Sequence, residues 1–172
     1  MPARNRKSIQ RESEPEPTDL VVLLRDGHRQ IKLLFTEMED ILELPTAVFE
    51  LHPRIRVALE AHSAGEHYAL YGPMNEMPEL SDALKAAEAA HEEIDAALAV
   101  LNRVPFRKQQ IDSQQWKETF RLLHRMVLDH LDKEEGRIFP RLQSLLAPSR
   151  LDALGDRYKR GLKGELGPLP RR

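Results

Sequence analysis

Apolar residues recur at three- and four-residue intervals along four long segments of the chain, and no stretch alternates apolar and polar positions at a period of two. The first segment opens at Thr18, a good N-cap, and runs to about Leu44, where Pro45 stops it; its row is Leu20, Leu24, Ile31, Leu34 with Phe35, Met38, and Ile41 with Leu42. The second lies between about Thr46 and Tyr71, with Pro53 predicting a kink or a separate first turn. Its row is Val48, Leu51, Ile55, Leu59, then Ala69 with Leu70. The third opens at Ser81 and reaches about Arg103 on Leu84, Ala87, Ile94, Leu98 and Leu101. The fourth runs from about Ser113 to Phe139 or a turn beyond on Trp116, Phe120, Leu123, Val127 and Ile138. A weaker helix spans Ser149 to about Leu162. Four amphipathic helices on short connections predict an all-α fold, an antiparallel up-down-up-down four-helix bundle, with another all-helical packing as the alternative. The bundle occupies residues 18–146. Residues 1–17, polar and carrying Pro15 and Pro17, read as a disordered arm, and residues 147–172 as a short helix and a fraying tail.

Each apolar row has a gap, and each gap is filled by a histidine: His28, His62, His91 and His130. If the helices alternate in direction, all four lie about nine or ten residues from one end of the bundle, roughly 15 Å at the helical rise. Two of them are followed on the same face by an acid, Glu66 after His62 and Glu134 after His130, at the i,i+4 offset that lets both side chains converge. A buried, unpaired carboxylate costs several kcal/mol, so an apolar face accepts one only where a cation neutralises it. A lone histidine on such a face is ordinarily a satisfied core residue, but four in register with two acids form a coordination set. Two histidines per ion and two bridging carboxylates would hold a dinuclear centre. The pattern also repeats: "GHRQIKLLF" echoes "AHEEIDAAL", and "AHSAGEHYALYGP" echoes "DHLDKEEGRIFP", as two related helical hairpins would.

Composition narrows the chemistry. The chain has no cysteine, which excludes disulfides and thiolate-held metal. Its net charge of −2 gives no electrostatic reason to bind nucleic acid or an anionic membrane. Charged residues make up 31% and no apolar run is long enough to span a bilayer. The N-terminal basic residues have no apolar stretch behind them, so no secretory signal is predicted, and the expected compartment is the cytoplasm.

The ordered set H…HxxxE…H…HxxxE, closed by "EEGRIFP", resembles the hemerythrin-like HHE cation-binding domains over about residues 18–146. The resemblance implies a four-helix bundle around two non-heme irons, carboxylate- and oxo-bridged, held by His28, His62, Glu66, His91, His130 and Glu134. Nitrogen and oxygen donors alone also suit manganese or zinc. It further implies a small diatomic ligand or peroxide, bound or sensed at open positions, with a protein partner reading the result. Oxygen or peroxide enzymology, and iron storage, delivery or iron-centre repair, are the alternatives; an enzyme would need a substrate cavity, which periodicity does not reveal. The third helix departs from oxygen-carrying hemerythrins, which have HxxxH there, because the second position is Asp95. Carriers also place the last acid five residues after its histidine, which would select Glu135; facing geometry favours Glu134.

The remaining candidates read more plainly. His67 is expected beside the ligands or partly exposed, His124 as packing or surface, and His52 as exposed near a helix start. Tyr71 and Phe139 read as end-of-bundle packing, Trp116 and Phe120 as core.

Overall fold

The computed structural model describes residues 18–74, 77–103 and 114–166. The expected arm at 1–17, the Ser113 start of the fourth segment and the end of the tail lie outside the described residues. The described residues form no strand, and their helices build a bundle with a fifth helix packed on it. Helix α1 is Leu20–Asp40. Helix α2 is Pro45–Glu66, continued without a break by a wide π turn, His67–Tyr71, and a last turn, Gly72–Met74. Helix α3 is Pro78–Arg103. Helix α4 is Gln114–Lys133, continued by a second π turn, Glu134–Ile138, and by Phe139–Leu145. Helix α5 is Pro148–Leu162. Among the described residues no helix is long and apolar enough to cross a membrane.

Several boundaries differ from the sequence reading, each for a local reason. Asp19, not Thr18, caps α1: its carboxylate accepts from the backbone N–H of Val21 at 2.8 Å and of Val22 at 3.1 Å. Thr18 instead donates its hydroxyl to Asp152 at the start of α5. Helix α1 ends at Asp40, a turn before the proline expected to stop it. Pro45 takes the first turn of α2, where its missing N–H has no partner to lose, and α2 continues through Pro53. Helix α3 begins at Pro78, so Ser81 is inside the helix and donates its N–H to Met77.

The core is built in two apolar layers with a polar layer between them. One contains Ile31, Phe35, Leu59, Ile94, Phe120 and Val127 with their neighbours. The other contains Leu24, Ala69, Ala87, Ile138, Phe139 and Tyr158 with theirs. Along each rod the passage from one layer to the other crosses a histidine: Leu24–His28–Ile31, Leu59–His62–Ala69, Ala87–His91–Ile94 and Val127–His130–Ile138. The four gaps in the sequence pattern therefore occupy one level, closed above and below by hydrocarbon.

Candidate metal centre

His28, His62, Glu66, His91, His130 and Glu134 are all buried, both glutamates completely. Their side chains meet in two overlapping sets. His28, His62, Glu66 and Glu134 bring one donor atom each within 4.8 Å of one another, and so do Glu66, His91, His130 and Glu134. Both carboxylates belong to both sets. The Nε2 atoms of all four histidines face them: His62 to Glu66 at 3.1 Å, His91 to the other Glu66 oxygen at 3.1 Å, His28 to Glu134 at 3.3 Å and His130 to Glu134 at 3.5 Å.

These approaches are not hydrogen bonds. Nε2 of His28, His62 and His130, both oxygens of Glu66 and Oε2 of Glu134 are buried and find no hydrogen-bond partner among the described residues. Orphaned buried polar atoms cost about 1–3 kcal/mol each, more when charged. One layer that converges so many of them on one volume is arranged around something that takes up their lone pairs. Four imidazole nitrogens and two carboxylates, with no sulfur, suit iron, manganese or zinc. The residues fit a metal.

The second nitrogen of three rings is held from outside the cluster, as ligating imidazoles generally are. Nδ1 of His28 lies 3.0 Å from a Glu135 oxygen, that of His62 2.9 Å from the Tyr158 hydroxyl and that of His91 3.2 Å from the Ser63 hydroxyl, and with each Nε2 engaged as a ligand each Nδ1 would carry the proton and donate it. Each partner fixes one ring's tautomer and plane. Among the described residues no side chain does this for His130. Glu135, itself paired with Lys32 at 3.1 Å, thus lies outside the cluster and behind His28.

The first π turn follows its HxxxE segment directly, and the second begins at the glutamate itself. Gly72 donates its N–H to the carbonyl of His67, and Phe139 to that of Glu134, each reaching one residue further back than an α-helix does. In both rods the next residue is a proline, Pro73 or Pro140, which has no N–H to give and whose ring crowds the carbonyl four residues earlier. The widened turn accommodates that defect beside the cluster. Tyr71, in the first π turn, is more than packing: its hydroxyl donates to Oε1 of Glu134 at 3.1 Å. Phe139 packs on the His28 ring, centroids 5.1 Å apart.

The buried groups of the layer shift one another's protonation in opposite directions. Burial opposes a charged His28, yet Glu134 and Glu66 overcome it and push its ring up to about 10. Burial, then the repulsion of Glu66, pushes Glu134 up to about 7. Glu66 itself is held well below the usual carboxylate range: burial works against its charge, and His62, His28 and His91 outweigh it. Burial and the neighbouring His91 push His130 down to about 3. Protons alone thus satisfy the six groups unevenly.

The other sequence candidates stand apart from the cluster. His124 stacks on Phe35 at 4.8 Å and bonds Glu39 at 3.2 Å. His67 is half-buried, edge-on to Tyr68. His52 is buried, contrary to the exposed reading, with its ring edge-on to Trp116; its position near the helix start concealed that Trp116 of α4 packs against it. Asp95 is exposed, and borders a void of about 20 Å³ shared with His62, His91 and His130. Periodicity missed Tyr158, Ser63 and the role of Glu135. The signal for Tyr158 was present as the spacing Leu151, Leu154, Tyr158 with Gly155 and Gly161.

A family model described as the hemerythrin HHE cation binding domain matches residues 19–142, most of the chain. No curated protein and no solved structure matches it.

Proposed function

The chain belongs to the hemerythrin HHE cation-binding domain family, and from that premise we propose that its polar layer holds two non-heme irons and binds or senses O2, NO or redox state. The observation that carries this is the overlap of the two donor sets: two histidines belong to one set alone, two to the other, and Glu66 and Glu134 to both. In this reading His28 and His62 hold one ion, His91 and His130 the second, and the two carboxylates bridge. Bound iron would supply a redox couple and coordination positions left open by six protein ligands. The void beside His62, His91 and His130, walled also by Leu59, Ile94, Val127 and Leu131 and bordered by Ser63 and Asp95, is about 20 Å³, room for one small guest. The chain's own contribution is to exclude water with two apolar layers and to hold the imidazoles in one tautomer through Glu135, Tyr158 and Ser63.

Elemental analysis of protein expressed without metal supplementation tests the reading. Two irons per chain and absorption between roughly 300 and 400 nm are expected, as is loss of metal together with stability in His62→Ala and Glu66→Ala, since metal binding is coupled to folding. Full metal retention in both variants, or manganese or zinc in place of iron, sinks the iron centre as written. Adding O2, NO and peroxide in turn to the reduced protein then separates the roles. A stable stoichiometric adduct supports sensing, catalytic peroxide loss supports enzymology, and iron release to an acceptor supports iron handling. Enzymology has one observation of its own, a large cavity that backs onto the cluster.

A further inference from the structure

That cavity, about 690 Å³, lies between α3 and the second π turn. It is far larger than a diatomic gas needs and within the roughly 300–1,000 Å³ of small-molecule sites. His130 and Glu134, both buried, are among its lining residues, so the cavity backs onto the polar layer. The α3 side is a floor of Ala83, Ala87 and Ala90, methyl groups that leave the volume unfilled. On the α4 side Lys133, Arg137 and Arg141 follow one another at four-residue intervals.

The three cations are not equivalent. Lys133 is paired with Asp129, and Arg141 donates to the carbonyl of Glu79 at 2.6 Å. Arg137 has no ion-pair partner among the described residues. Against three cations the lining sets two acids, Asp82 and the inward Glu134. An uncommitted guanidinium beside an apolar floor is complementary to a carboxylate carried on a hydrocarbon body, since the planar fork takes two oxygens at once. Gly136 is one of the lining residues, and a Cβ built there meets nothing within 4 Å.

We propose that this cavity binds a small organic anion, its carboxylate at Arg137 and its apolar body along the alanine floor toward His130 and Glu134. The bound anion would lie against the edge of the proposed metal centre, and that adjacency, but not the binding itself, rests on the iron reading. Calorimetric titration of the purified protein with hexanoate, with 1-hexanol as the neutral control, tests it. Hexanoate binds saturably and more tightly than hexanol. Arg137→Gln weakens it by about fivefold, the scale of one exposed charged pair. Gly136→Trp, which fills the cavity, abolishes binding while the circular dichroism and thermal midpoint are kept; Ala90→Leu serves if the tryptophan disturbs folding. No saturable heat with hexanoate, or binding indifferent to both the filling and the charge variants, overturns the proposal. Iron measured on the same sample separates the readings. Iron without hexanoate binding removes the anion site alone, and hexanoate binding without iron removes the metal reading alone.

Discussion

The Tyr158 hydroxyl and Nδ1 of His62 share a hydrogen bond across 2.9 Å of buried space, tying α5 to the polar layer. Backbone glycines make this possible. A Cβ at Gly65 would sit 2.6 Å from the Tyr158 ring, and one at Gly27 would sit 2.8 Å from its hydroxyl. The phenol thus enters through a slot that only two glycines leave open, and it reaches the far side of an imidazole whose near side faces Glu66.

Removing that oxygen leaves the ring's packing intact and frees the His62 plane. Tyr158→Phe is expected to fold normally and to lower metal affinity by about 10–100-fold, the usual scale for losing a partner of a ligating histidine. Competition against a chelator measures it. Wild-type affinity in the variant would show that α5 merely covers the site.

Gly65→Ala should act on the same relationship sterically. The added methyl forces the buried Tyr158 ring to shift, and overpacking of this kind costs about 1–3 kcal/mol. A lower thermal midpoint is therefore expected, along with faster metal loss. Gly136→Ala is the control, because its Cβ enters open space. It gains about 0.5–1 kcal/mol from helix propensity, so its midpoint should rise. Equal shifts in both variants would remove the close-approach explanation.

Glu135 makes a different kind of contact, accepting from Nδ1 of His28 while paired with Lys32. Glu135→Gln keeps an oxygen that can accept but discards the charge. The expected result is weaker metal retention with the stoichiometry unchanged, read by elemental analysis after dialysis against increasing chelator. A change in stoichiometry would instead make Glu135 a ligand.

His52 predicts a pH effect away from the cluster. Burial, then the charge of Arg56, holds its ring below the ordinary 6.5, so the unfolded chain takes up the proton first. Stability associated with His52 is therefore complete above pH 6.5 and falls as the pH drops below it toward the folded value. Urea unfolding at pH 7.5 and pH 5.5 should show a smaller acid loss in His52→Gln than in the wild type. Parallel losses in the two proteins would place the acid sensitivity elsewhere.

The apolar rows and their four interruptions are properties of local order, and they were enough to predict an all-helical bundle with His28, His62, His91 and His130 at one level. Glu66 and Glu134 were equally legible, because an i,i+4 offset places two side chains on one face whatever surrounds the helix. The outer partners of the imidazoles were not. Glu135 comes from α4 to meet α1, Tyr158 from α5 to meet α2, and Ser63 from α2 to meet α3; no periodicity within one helix encodes which neighbour it will face. The π turns at His67–Tyr71 and Glu134–Ile138 left a trace in the prolines that follow them, but a proline specifies only that a hydrogen bond is lost. Which carbonyl takes its place depends on what the widened turn packs against. Burial of His52 and the cavity beside Arg137 were likewise decided by how the rods sit together, since filled and empty space between helices is set by packing across the bundle.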